Sequence, residues 1–97
     1  MKVIYKYKIQ EGVNKVLLPK GADVIHGGFQ EAQNILAIWA VVDPNHEKEI
    51  RTFLLWNTGT PFPDSEYDQH WHINTFFMGE FVFHIFEITS GLVGIKK

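Results

Sequence analysis

Apolar and polar positions alternate with a period of two from the start of the chain. Val3, Tyr5, Tyr7 and Ile9 fall on one side with Lys6 and Lys8 between them, which predicts a strand with one buried and one wet face. Glu11-Gly12 interrupts it, Lys15 to Leu18 predicts a short second strand, and Pro19-Lys20-Gly21 breaks the chain again. Asp23 to Phe29 predicts a third strand, with a bulge or a close backbone approach at Gly27-Gly28. The stretch from Gln30 to Ala40 contains good helix formers, so a helix is one reading of it. The β-branched Ile35, Ile38, Val41 and Val42 favour the other, a turn over Gln30 to Asn34 followed by a fourth strand through Val42.

Asp43-Pro44-Asn45 is a turn signal, after which Ile50 to Trp56 predicts a fifth strand pairing back on the fourth as a hairpin. Thr58 to Asp64 holds two prolines and predicts an irregular loop. His70 to Phe77 and Phe81 to Ile88, rich in aromatic and β-branched residues and joined across Met78-Gly79-Glu80, predict a β-hairpin. The tail from Ser90 to Lys97 has two glycines and ends in two lysines. These elements predict an all-β fold, a small antiparallel sandwich or barrel of about six to seven strands with little or no helix, as a single domain over 1–97.

Two strands are apolar on both sides. Ile35, Ala37, Trp39 and Val41 oppose Leu36, Ile38, Ala40 and Val42, and in Phe81 to Phe86 only His84 interrupts the run. Such strands are sandwiched by a second sheet or by another subunit, and a chain this short has difficulty covering every face itself. A homo-oligomer is the expectation.

Composition narrows the function classes. The 97 residues are 45% hydrophobic and 21% charged, which suits a globular domain and not a disordered one. A net charge of −2 gives the whole chain no electrostatic reason to seek nucleic acid or an acidic membrane. Lys2, Lys6 and Lys8 do interleave with Tyr5 and Tyr7, but lysines and tyrosines project from opposite faces of a strand and build no common stacking platform. With no cysteine, disulfides, thiolate zinc sites and cysteine nucleophiles are excluded. The N-terminal segment lacks the apolar run of a signal peptide, and Ile35 to Val42, the longest apolar run, is too short to span a bilayer. A cytoplasmic protein is expected.

Candidate chemistry concentrates in the aromatic hairpin. His70 and His72 project from one strand face, and His-x-His pairs ligate metals for that reason. Whether His84 joins them is a matter of register. A three-residue loop pairs Phe77 with Phe81 and sets His84 diagonal to His72; a two-residue loop pairing Phe77 with Glu80 sends it to the opposite face. A divalent metal held by His70, His72 and His84 is the alternative to a protein without cofactors. It would resemble the cupin enzymes, which carry His-x-His on a barrel strand, although their glutamate four residues later is Phe76 here. No serine stands in a nucleophile elbow, and Glu47 and Glu49 flank a turn, so no catalytic residue is expected. For a small ligand, the candidate lining is Trp39, Trp56 and Trp71 with Thr58 and Thr60 of the proline loop, and His84 or Arg51 as polar contacts.

The order of segments resembles a family of short bacteriophage- and prophage-encoded proteins of unknown function. The matching pieces are Ile4-Tyr5-Lys6-Tyr7, Leu18-Pro19-Lys20-Gly21-Ala22, Trp39-Ala40 with Val42-Asp43, Arg51-Thr52-Phe53, Thr58-Gly59 with Pro61 and Pro63, and Phe81 to Glu87. Glu31 to Asn34 and the Gly91-Leu92-Val93-Gly94 tail depart from that pattern. The resemblance implies expression in an infected or lysogenic bacterial cytoplasm. The expected function is that of a non-enzymatic accessory binding module, which modulates a host or defence process by binding a host protein or sequestering a small molecule. A cupin-like metal enzyme and a structural or virion-associated protein are the alternatives.

Overall fold

Strand-forming segments follow the period-two pattern closely. The computed structural model describes residues 1–62 and 70–89. Its strands are β1 (Val3–Ile9), β2 (Gly12–Pro19), β3 (Asp23–Gln30), β4 (Ile35–Val42), β5 (Lys48–Asn57), β6 (His70–Met78) and β7 (Phe81–Ile88). They form two antiparallel sheets, ordered β1-β4-β3 and β2-β5-β7-β6. The all-β reading therefore holds, and 35–42 is strand. The only helical turn among the described residues is a 3₁₀ turn, Glu31–Gln33, ended by Asn34 in the left-handed conformation (φ 56°). Pro63 and Asp64 of the proline loop and the tail from Ser90 lie outside the described residues.

One pairing differs from expectation. β5 does not fold back on β4; it pairs with β2 and β7. Both edges of β4 are already occupied, by β1 and β3, so no ladder position remains for β5. The Asp43-Pro44-Asn45 turn instead carries the chain across to the second sheet. The Asp43 carboxylate accepts the Asn45 N–H at 3.1 Å, and the Asp43 carbonyl accepts the His46 N–H at 3.1 Å.

The two sheets bury a shared core. Ile38, Ala40 and Val42 of β4 meet Phe53 and Leu55 of β5 and Phe83 and Ile85 of β7, with Leu18 of β2 alongside. Leu18, Ile38, Phe53, Leu55 and Ile85 are wholly buried. Each such side chain contributes about 1.5–3 kcal/mol in removed apolar surface. The second apolar face of β4 is only partly covered: Ala37 is buried, Ile35, Trp39 and Val41 are half-buried, and the His26 and Trp39 ring centroids lie 5.8 Å apart.

Two asparagines tie the sheets together at their edges. Asn74 of β6 accepts the Gly27 N–H at 2.7 Å and donates to the Gly27 carbonyl at 2.8 Å, joining β6 to β3. Asn14 of β2 does the same to Gln10 beyond the end of β1, at 2.8 and 2.7 Å. In each case a side-chain amide replaces the peptide partner that a continuous ladder would have supplied.

Candidate functional site

The β6–β7 hairpin decides which histidines meet. Its loop is two residues, Gly79 and Glu80, with Met78 opposite Phe81 and Phe77 opposite Val82. That register alone would put His72 and His84 on opposite faces. An extra residue in β6 between His72 and Asn74, however, restores the parity: His72 pairs with Phe86 and Thr75 with His84. Neither register considered from sequence is the one adopted, yet His72, Thr75, His84 and Phe86 share the outward face of the four-stranded sheet.

A hydrogen-bonded chain runs across this face. The Thr58 hydroxyl donates to the Val82 carbonyl at 3.1 Å, so His84 Nε2 carries a proton and donates to Thr58 Oγ1 at 2.6 Å. His84 Nδ1 then accepts from the Thr75 hydroxyl at 2.9 Å, and Thr75 Oγ1 accepts from His72 Nε2 at 2.9 Å. With a neutral His84, this proton order satisfies every partner at once. The loop after β5 is anchored beside it, because Trp56 Nε1 donates to the carbonyls of Thr60 and Pro61 at 3.2 and 3.1 Å.

Aromatic rings pack next to the chain. Phe62 lies 6.2 Å from Trp56, 5.5 Å from His70 and 5.4 Å from Phe86, between ring centroids. Phe86 in turn lies 5.1 Å from His70 and 5.3 Å from His72. Beneath Phe86, its cross-strand neighbour Leu54 is wholly buried although it points away from the core. The result is a half-exposed surface of rings edged by hydroxyl and imidazole groups.

The sequence-derived ligand set is divided by the fold. Trp56, Thr58, Thr60 and His84 come together here. Trp39 belongs to the outward face of the other sheet, beside His26. Trp71 is the register partner of Glu87, on the opposite side of β6 from His70 and His72. Arg51 is a structural residue: Nε and Nη2 bind Glu87 at 2.7 and 2.9 Å, and Nη1 donates to the Ala22 carbonyl at 2.6 Å. Burial opposes the guanidinium charge, but the hydrogen bond and charge of Glu87, aided by Glu49 and Asp23, outweigh it and raise the Arg51 pKa further above its usual value.

His70, His72 and His84 do not converge as metal ligands. Both His84 nitrogens and His72 Nε2 are engaged with threonines, the His72 and His84 ring centroids are 6.5 Å apart, and His70 packs on Phe62 and Phe86. No group of three or more His, Cys, Asp or Glu side chains arranged to hold a metal occurs among the described residues. Phe62, Thr75 and Phe86 belong to the surface and were not singled out from sequence. Phe86, two residues after His84, was available from strand alternation; Thr75 was hidden by the hairpin register.

A family model described as a domain of unknown function, DUF7352, matches residues 1–92. The chain belongs to this family. The matched span contains the seven strands of the described residues. No curated protein and no solved structure matches the chain. No helix among the described residues is long and apolar enough to cross a membrane.

Proposed function

We propose that this DUF7352 protein is a non-enzymatic binding module that recognises a protein partner through the outward face of β5, β6 and β7. The observation that carries this reading is the ring surface of Trp56, Phe62, His70, His72 and Phe86, bordered by Thr58, Thr75 and His84. Large rings with few rotatable bonds are the usual anchors of protein interfaces, and the hydroxyl–imidazole chain adds fixed donors and acceptors at their edge. Val13, Leu17 and Ile50, 45%, 53% and 65% exposed, continue the same face over β2 and β5 and support self-association there. The resemblance to phage- and prophage-encoded proteins supports a bacterial host protein as the partner and the cytoplasm as the place of action.

Native mass spectrometry of the protein purified from bacterial cells without chelator tests this reading. The expected result is a metal-free assembly of defined stoichiometry, alone or with a protein partner, that dissociates in a Phe62→Ser/Phe86→Ser variant retaining its fold. A small-molecule adduct lost in that variant would replace the protein partner by a sequestered ligand. One metal ion per subunit, lost in His72→Ala, would overturn the reading in favour of a metal-dependent enzyme.

A further inference from the structure

One end of the sandwich carries a cleft separate from the outward ring surface. It lies between the Glu31–Asn34 turn and the tip of the β6–β7 hairpin. Its larger lobe, about 810 Å³, is lined by Phe29, Glu31, Asn34, Met78, Glu80 and Phe81. A smaller lobe of about 450 Å³ shares Phe29, Asn34 and Met78 with it and runs over Ile9 and Leu36 toward Lys8. Both lobes are open to solvent, so a ligand here rests against the lining on one side.

The lining specifies what kind of molecule. Phe29 and Phe81 supply aromatic rings, Phe81 being 53% exposed, and Met78 supplies a polarisable thioether. Glu31 and Glu80 supply two carboxylates, and neither forms an ion pair among the described residues. The turn that carries Glu31 is held in shape, since the Asn34 N–H donates to the Glu31 carbonyl at 3.1 Å and Asn34 adopts φ 56°. Lys8, the one cation lining either lobe, belongs to the smaller lobe only. Aromatic faces attract a cation through the ring quadrupole, and two unneutralised carboxylates attract it by charge. An anion meets repulsion in the larger lobe, and a neutral body forgoes both terms.

We propose that the larger lobe is a binding site for a small organic ammonium ion. Its charged head lies toward Glu31 and Glu80, and its apolar body lies against Phe29, Met78 and Phe81. This site is independent of the ring surface on the outward sheet face.

Benzyltrimethylammonium is a suitable probe, followed through the ¹³C-labelled methionine methyl resonances of the intact protein. Met78 lines the lobe, and Met1, 94% exposed, serves as the internal control. The expected result is a saturable shift of Met78 with Met1 unmoved, absent with benzyl alcohol at equal concentration and weakened by about 0.5 M salt. Glu31→Gln/Glu80→Gln, two substitutions at exposed sites, should weaken binding about five- to tenfold, and Phe81→Ala should weaken it comparably. Equal binding of benzyl alcohol, unchanged binding in the double glutamine variant, or a shift that never saturates would each overturn the proposal.

Discussion

Asn74 holds Gly27 by both of its backbone groups, accepting its N–H at 2.7 Å and donating to its carbonyl at 2.8 Å. The hairpin register sets Asn74 opposite Ile85, on the inward side, where β3 passes. Asn74→Ala leaves the two Gly27 groups without that partner, and the expected loss is on the order of 2–4 kcal/mol. Asn74→Asp keeps an acceptor but sets a carboxylate against the Gly27 carbonyl, and should lose at least as much. Urea denaturation measures both. A loss under about 0.5 kcal/mol would mean that water substitutes for the amide.

Close packing at the same seam makes a second prediction. A Cβ built on Gly27 falls on Ile85 Cδ1, with the Asn74 carboxamide also within reach. Gly27→Ala should therefore cost about 1–3 kcal/mol by overpacking. Adding Ile85→Val, which removes the clashing methyl, should recover a large part of that cost. Strictly additive effects in the double-mutant cycle would place the strain elsewhere.

The Arg51–Glu87 pair should behave as one unit. Its side chains are only 10% and 3% exposed, so Arg51→Met takes the bidentate cation from a buried carboxylate and is expected to cost about 3–5 kcal/mol. Arg51→Met with Glu87→Leu should be less destabilised than Arg51→Met alone, because the buried carboxylate is removed together with the cation that balances it. Thermal unfolding of the four proteins checks this; a double variant worse than Arg51→Met alone would show that Glu87 stabilises the fold through contacts other than Arg51.

Acid stability should depend on Asp43. The Asn45 N–H bond, chiefly, and nearby positive charge hold its pKa below the usual 3.8 against an opposing effect of burial. A carboxyl with a depressed folded-state pKa contributes stability above its unfolded value and loses it as pH falls through the folded one. Asp43→Asn should therefore remove part of the acid dependence below about pH 4 and flatten that limb of the stability profile. An unchanged acid limb would assign the loss of stability to other carboxyls.

Strand positions were legible because their signals are written into neighbouring residues. Val3 to Ile9, marked by alternation, and Ile35 to Val42 and Phe81 to Ile88, marked by β-branched or aromatic runs, each became a strand. The turn at Asp43-Pro44-Asn45 was equally legible, since an Asx turn needs only its own residues. What that turn connects was not: the predicted β4–β5 hairpin gave way to a sheet crossing once β1 and β3 had filled both edges of β4. The candidate site was legible in part. The hairpin histidines, Trp56 and the threonine loop do share a surface, whereas Trp39, Trp71 and Arg51, chosen for their chemistry alone, serve other faces of the sandwich.

The sequence by itself determined the strands, their breaks and the all-β class, because backbone propensity and side-chain alternation act over a few residues. Tertiary structure decided the partners. The two-residue loop set Thr75 against His84 and turned Asn74 toward Gly27, and one extra residue in β6 brought His72 onto the same face as His84. No local signal marks that residue, since a bulge is selected by what lies across the sheet. Its position is settled only when β3, β6 and β7 pack together.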